Sequence, residues 1–225
     1  MQQLDITRLL DLLEAHYGPQ EPGWPVDPCE FLIWWHCGYP QSDAACSKGW
    51  AALSKTTGTA PAQILAASQA KLTSAMTAGG MVPEQRALHL QQIACRVQDE
   101  FGGDLTAALT GPISRARKIL KSFHSIADPG ADRILLFAQL APLAAVPSNC
   151  PHVLVRIQSG HEAANYGATC RAAQKLIDDE LPEQFHARKR AYLLLKQHGQ
   201  SICKRNPNCA ACPVSANCAY FSKMI

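Results

Sequence analysis

The feature that most constrains this chain is a group of four cysteines near its C-terminus, within residues 203–218. Cys209 and Cys212 form a central Cys-x-x-Cys pair, and Cys203 and Cys218 flank it with five residues on either side. Pro and Asn interrupt the segment, which favours a loop. In a cytosolic protein, reduced thiols at this density usually bind a metal instead of forming disulfides. The spacing therefore predicts a metal-binding loop with these four thiolates as ligands.

Two kinds of metal centre fit four cysteines in this pattern. A compact loop around one Cys-x-x-Cys pair suits an iron-sulfur cluster, which four thiolates hold. Structural zinc sites more often have two separate Cys-x-x-Cys pairs. The pattern therefore favours a 4Fe-4S cluster, with a four-cysteine zinc site as the first alternative and uncoordinated cysteines as the second.

The other six cysteines are scattered singly, mostly among apolar residues, and we expect them to be buried reduced thiols. They are Cys29, Cys37, Cys46, Cys95, Cys150 and Cys170.

The composition is that of a soluble globular protein. The 225 residues are 47% hydrophobic and 17% charged, enough to bury one sizeable core or two small ones. No apolar run approaches the length of a membrane span, and the first residues form an amphipathic pattern with acids instead of a signal peptide. We therefore expect a cytoplasmic protein without a membrane segment, associated with the nucleoid if it is bacterial.

Helical periodicity along almost the whole chain predicts an all-α fold. Gly102 and Gly103 are expected to end one helix, Asp104 to cap the next, and Pro112 to begin another. No strand-like alternation recurs. The earlier segments with helical periodicity are residues 4–16, 28–39, 42–54, 61–67, 69–78 and 83–101.

Two segments of the chain carry basic residues but no acids. One lies between Asp104 and Asp128, and the other follows Glu183. Such segments suit phosphate binding, although many basic runs are only solvated surface. The basic residues expected to contact phosphates are Lys118, Lys121, Lys204 and Arg205.

The cysteine segment resembles the C-terminal cluster loop of the endonuclease III superfamily of DNA glycosylases. The gaps between cysteines are six, two and five residues in that family and five, two and five here. The resemblance implies a 4Fe-4S cluster held by Cys203, Cys209, Cys212 and Cys218. It also implies that the cluster has a structural role and presents Lys204 and Arg205 to the phosphate backbone of DNA.

Residues 120–137 resemble the helix-hairpin-helix of the same superfamily. Ile126 matches the apolar residue that is buried in the turn, whereas Ser125 and Ala127 stand where the family has glycines. In such hairpins, backbone amides at the start of the second helix meet a DNA phosphate. The resemblance therefore implies DNA contacts at Ser125, Ile126, Ala127 and Gly130.

The resemblance covers nearly the whole chain and implies the two-lobed helix-hairpin-helix DNA glycosylase fold. Residues 25–130 would form a six-helix lobe that ends in the hairpin. Residues 1–24 with 131–225 would form the cluster lobe, with the cluster loop at 203–218. The implied partner is double-stranded DNA, bound by a monomer.

Both catalytic residues of the bifunctional family members lack counterparts here. Those members use a lysine near the start of the second hairpin helix as the nucleophile, together with an aspartate in the following loop. Alignment of the hairpins places Pro129 at the lysine position, and alignment back from Arg156 places Pro147 at the aspartate position. No lysine occurs between Lys121 and Lys175. Lysine-dependent AP lyase activity is therefore not expected.

Two acids near the hairpin could replace the missing groups, but each has a simpler interpretation. Asp128 is expected to cap the second helix with Pro129 as the first helical residue, and Asp132 is expected to form an exposed pair with Arg133. The sequence thus predicts a base-excision-repair type protein, a divergent DNA glycosylase that lacks the usual lysine and aspartate. The alternatives are a catalytically inactive DNA- or lesion-binding iron-sulfur protein, and an iron-sulfur protein with no role on DNA.

Overall fold

A computed structural model of the chain describes residues 4–224, and all regular secondary structure in that range is helical. The all-α prediction is confirmed. The predicted helices lie within a few residues of observed ones, and the segment 83–101 is helical over that same range. No helix in the described range is long and apolar enough to cross a membrane.

The chain divides into two compact units. Pro22–Ala127 form the hairpin-turn unit, and the segment up to Glu21 together with the segment from Asp128 onward forms the cysteine-loop unit. The boundaries predicted from the sequence, after residues 24 and 130, lie three residues later in the chain than those of the structure, after residues 21 and 127.

The hairpin-turn unit contains helices whose ends are set by local signals. The Asp27 side chain accepts hydrogen bonds from the amides of Cys29 and Glu30, which caps α2 (Pro28–His36) and contributes about 1 kcal/mol. Gly102 ends α6 (Pro83–Phe101) in the left-handed conformation, and Asp104 caps α7 (Leu105–Leu109), as predicted. The helices are α2 (Pro28–His36), α3 (Asp43–Thr56), α4 (Pro61–Ala66), α5 (Gln69–Met76), α6 (Pro83–Phe101), α7 (Leu105–Leu109) and α8 (Ile113–Lys121), with a short 3-10 helix at Thr77–Gly79.

The cysteine-loop unit packs the first helix against the C-terminal part of the chain. Leu9 and Leu13 are fully buried, which contributes about 1.5–3 kcal/mol for each side chain. Arg190 forms ion pairs with Asp11 and Glu14 at 2.9 and 2.7 Å. The helices are α1 (Ile6–Tyr17), α9 (Asp128–Phe137), α10 (His152–Ser159), α11 (Tyr166–Glu180), α12 (Phe185–Ser201) and α13 (Ala219–Ser222), with 3-10 helices at Cys209–Ala211 and Ser215–Asn217.

The cysteine segment belongs to the core of its unit. Cys203, Val214 and Cys218 are buried in the same apolar cluster as α1 and α10. Helix α12, which leads into the segment, approaches the start of α10 closely at Gly199. A β-carbon on Gly199 would lie 2.4 Å from Cβ of Cys150, so only glycine permits this approach.

Five of the six scattered cysteines are buried, as expected, but the prediction is wrong for Cys95. Its thiol lies on the exposed side of α6 and donates a hydrogen bond to Asp99 at 2.9 Å. The two residues are four apart on one helix, where side chains meet at the surface.

Candidate functional site

The turn between α8 and α9 has the backbone strain expected where serine replaces glycine. Ser125 has a φ of 59°, in the left-handed region that a side chain disfavours by about 1–2 kcal/mol. Ile126 is buried at 6% exposure, which confirms its predicted place in the turn. In residues 4–224 the non-glycine residues with positive φ are Val82, Ser125 and Gln139, so Ala127 does not need a left-handed backbone.

Arg96 of α6 holds the beginning of this turn. Its guanidinium donates to the carbonyl oxygen and the hydroxyl of Ser122 at 2.9 and 3.0 Å. The same group lies 4.4 Å from the ring centroid of Phe123 and is paired with Glu100. Arg96 therefore fixes the path of the chain just before Ser125.

His36 of α2 holds the middle of the turn. Its ring nitrogens lie 2.8 Å from the Leu32 carbonyl oxygen and 2.9 Å from the His124 carbonyl oxygen. Burial lowers the pKa of His36 to about 4, although hydrogen bonds to the two carbonyls act in the opposite direction. The turn is thus fixed by side chains from α2 and α6, which keeps its amides in one arrangement.

A cavity of about 620 Å³ lies beside the turn and shares Ser122, Phe123 and His124 with it. Its size falls in the range of small-molecule sites, and its walls are mainly apolar. The rings of His89 and His124 lie 4.1 Å apart at their centroids, with the Ile93 side chain in the same wall. Sequence patterns did not reveal this cavity.

The residues predicted to contact phosphates are divided between the two units. Lys118 and Lys121 are exposed in the last turn of α8, where basic side chains also favour the helix dipole. Lys204 and Arg205 are exposed directly after the first cysteine, and Gly130 is half-buried in the first turns of α9.

The first turns of α9 differ from the sequence prediction. The helix begins at Asp128 itself, one residue before the expected first position. The predicted exposed pair is wrong, since Asp132 is 1% exposed and Arg133 is 4% exposed. Asp132 accepts a hydrogen bond from the side-chain amide of Gln174 in α11 at 3.2 Å, and α9 also packs against α12.

Neither proline at a family catalytic position offers a reactive group. Pro129 is half-buried in the first turn of α9, and Pro147 is buried in the segment that connects α9 to α10. The Pro147 carbonyl oxygen accepts a hydrogen bond from the Cys150 amide at 3.1 Å. At both positions the chain has no side chain that could act as an amine or as a carboxylate.

The four predicted ligand cysteines line one cavity in the cysteine-loop unit. Among residues 4–224, however, no group of three or more His, Cys, Asp or Glu side chains is arranged to hold a metal ion. The thiols of Cys203, Cys209, Cys212 and Cys218 line this common space. Four thiols are the donor set of an iron-sulfur cluster and also of a four-cysteine zinc site.

Burial disfavours the ionised form of two of these thiols. Burial raises the pKa of Cys203 to about 11, with Arg156 acting in the opposite direction, and burial also raises the pKa of Cys212. A metal centre here would have to displace these protons, so its binding would be coupled to pH.

Polar side chains that the cysteine spacing did not predict reach the same cavity. His198 is fully buried, and burial lowers its pKa to about 4. Its Nε2 lies 3.7 Å from Sγ of Cys212, and its Nδ1 lies 2.8 Å from the Tyr17 hydroxyl. Arg156 donates to the Lys204 carbonyl oxygen at 2.7 Å and is paired with Glu162. Of these side chains, His198 was the one that the sequence could have indicated, because it lies five residues before Cys203, the first predicted ligand.

Comparisons with known proteins agree with this architecture at the level of the fold. Neither protein-family models nor curated protein sequences give a match to the chain. A solved complex of endonuclease III with DNA aligns with a TM-score of 0.74 at 18% identity, covering 97% of this chain and 96% of that one.

Two further solved structures align in the same way. A thermostable thymine-DNA glycosylase has a TM-score of 0.73 at 20% identity, over 96% of this chain and 95% of that one. The 3-methyladenine DNA glycosylase of H. pylori bound to 1,N6-ethenoadenine has a TM-score of 0.65 at 15% identity, over 88% and 98%. The chain therefore has the fold of the helix-hairpin-helix DNA glycosylases, the superfamily of endonuclease III.

Proposed function

We propose that this protein binds double-stranded DNA through the turn 122–127 and acts as a divergent DNA glycosylase. The observation that carries this proposal is the left-handed backbone at Ser125. A strained conformation of about 1–2 kcal/mol persists where the surrounding structure imposes it, and such sites are often functional. Arg96 and His36 impose it here. A phosphate contact made by backbone amides requires a turn that is held in one conformation.

The proposed cofactor is a 4Fe-4S cluster bound by the four cysteines that line one cavity. When bound, the cluster would tie the C-terminal segment to the core of its unit and shape the loop that carries Lys204 and Arg205. This is supported by the fold and by the burial of Cys203 and Cys218 in the unit's core. Iron and sulfide in equal amounts in anaerobically purified protein would support the proposal, and a zinc-loaded colourless protein would contradict it.

The proposed reaction is removal of a damaged base without a covalent enzyme intermediate. Pro129 and Pro147 supply neither an amine nor a carboxylate, and the chain from 122 to 174 contains no lysine. Base loss would depend on extrusion of the nucleotide and on its electrostatic surroundings, with water as the nucleophile. Borohydride should consequently trap no protein–DNA adduct.

The experiment that tests this activity is a panel of duplexes with uracil, oxidised or alkylated bases. After incubation, alkali converts any abasic site into a strand break. Alkali-dependent breaks on one lesion would support a monofunctional glycosylase. Breaks without alkali would contradict the lysine-independent reaction. Breaks on none of the duplexes would contradict the glycosylase proposal.

A second candidate is a lesion-binding protein without catalysis. Two observations favour it: Pro147 is buried at the family's aspartate position, and the Asp132 carboxylate is engaged by Gln174. This candidate predicts tighter binding to one lesion duplex than to the matched intact duplex, with no break after alkali. The same panel, read by binding as well as by cleavage, separates the two candidates.

A further inference from the structure

We propose that Tyr17 and His198 are positioning residues for the cluster, holding an N–H group on the sulfur of Cys212 and thereby favouring the reduced cluster. The inference rests on the proposed 4Fe-4S cofactor and concerns side chains outside the four ligands.

The contacts form a short hydrogen-bonded chain that ends at the sulfur. The Ser201 hydroxyl lies 3.0 Å from the Tyr17 hydroxyl, which lies 2.8 Å from Nδ1 of His198. Nε2 of the same ring lies 3.7 Å from Sγ of Cys212. His198 is fully buried, so water does not compete for its nitrogens.

The tautomer of His198 follows from what each neighbour can accept. A neutral imidazole has one N–H, and the other nitrogen must accept. A thiolate ligand at Cys212 can only accept, so it requires the proton on Nε2. The Tyr17 hydroxyl completes this arrangement by donating to Nδ1. With the proton on Nδ1 instead, two lone pairs would face each other at the sulfur.

Such a bond acts on the cluster through charge. Donation to a ligand sulfur withdraws negative charge, and reduction adds an electron to the same centre. The reduced form therefore gains more from the bond than the oxidised form, and hydrogen bonds to sulfur are among the features that set cluster potentials. Removing a side chain that forms a hydrogen bond with a metal ligand typically changes metal affinity or activity by 10–100-fold.

The test compares His198→Leu, His198→Gln and Tyr17→Phe with the wild-type holoprotein, purified anaerobically. The readouts are iron and sulfide per chain and the midpoint potential of the bound cluster. We expect His198→Leu to disfavour reduction about tenfold, which is about 59 mV for one electron. Tyr17→Phe should shift the potential in the same direction by a smaller factor. His198→Gln, whose amide can still donate, should stay near the wild type.

His186→Leu is the matched control, because His186 is exposed on the same helix and should leave the potential unchanged. Loaded His198→Leu and Tyr17→Phe proteins with wild-type potentials would overturn the proposal, even if their cluster content fell. If His198→Leu does not fold, the midpoint potential of Tyr17→Phe tests the proposal, because that substitution removes only one hydroxyl. Absence of iron and sulfide from the wild type would overturn the cofactor itself, and this inference with it.

Discussion

Replacing Ser125 with glycine is expected to stabilise the hairpin-turn unit. The residue has a φ of 59°, where a Cβ atom is unfavourable and glycine is not. Arg96 and His36 hold Ser122 and His124, which both precede Ser125, so the segment leading into the strained residue is fixed.

The size of the effect follows from two opposing contributions. A left-handed backbone costs a non-glycine residue about 1–2 kcal/mol. Glycine loses about 0.4–1 kcal/mol through the extra freedom of the unfolded chain. The net stabilisation for Ser125→Gly should be about 0.5–1 kcal/mol. With a urea dependence of about 2 kcal/mol per molar, the midpoint should rise by about 0.3–0.5 M.

The assay is urea unfolding followed by tryptophan fluorescence. All four tryptophans lie in the hairpin-turn unit, so the signal reports on that unit: they are Trp24, Trp34, Trp35 and Trp50.

Two companion variants make the test specific. Ser125→Ala keeps the Cβ and the strain, so it should be nearly neutral. Ala127→Gly makes the same substitution at the family's other glycine position, where the backbone is not left-handed, and should destabilise by about 0.4–1 kcal/mol. If both glycine variants shifted the midpoint in the same direction, the strain argument would be refuted.

Three further outcomes are expected. Burial lowers the pKa of His36 from 6.5 to about 4, so the unfolded chain binds this proton at a higher pH than the folded chain does. The free energy of unfolding of the hairpin-turn unit should therefore fall by about 3 kcal/mol as the pH drops from 6.5 to 4. Urea unfolding at a series of pH values measures this loss. Changing Lys118 and Lys121 to glutamine should reduce the salt dependence of duplex binding. The slope of log binding constant against log salt concentration should become less steep by about 0.9 for each phosphate that the protein no longer neutralises, as measured by fluorescence anisotropy. Cys212→Ser should lose iron and sulfide, whereas Cys95→Ser should retain both by elemental and sulfide analysis.

Each of these outcomes has a control or a contrary result. A His36→Gln protein should lack the pH-dependent loss, and an equal loss in that variant would assign the effect elsewhere. Lys175→Gln removes a charge already paired with Asp179 at 2.7 Å and should leave the salt slope unchanged. Full cluster content in Cys212→Ser would remove that cysteine from the ligand set.

Helix positions were predictable wherever the determinants are local. Pro83 at the first position and Gly102 just past the end fix α6 by backbone geometry alone, and both are readable in the sequence. Ile126 was also predictable, because the hairpin turn needs an apolar residue at its centre. These features depend on neighbours a few residues away.

The sequence-based predictions were wrong or incomplete where contacts between residues far apart in the chain determine the environment of a side chain. Asp132 followed by Arg133 looks like a surface pair, yet seven consecutive residues, Ala131–Phe137, are buried in α9. Tyr17 and His198 are 181 residues apart, so no spacing could join them. In both cases a side chain's environment is set by a helix elsewhere in the chain, which sequence periodicity does not specify.

The hairpin turn and the two prolines show how differently binding and chemistry depend on the chain. A phosphate contact made by backbone amides depends on the path of the chain, and at Ser125 a left-handed path exists with a residue that disfavours it. A lysine nucleophile depends on one side chain, and a proline such as Pro129 fits the first turn of α9 while it offers no amine. At 18% identity to endonuclease III, a fold can therefore keep its binding geometry while its reaction is lost or replaced. For this protein, the proposal of DNA binding rests on the amides of the turn, and the proposal of base removal predicts alkali-dependent breaks in one duplex of the lesion panel.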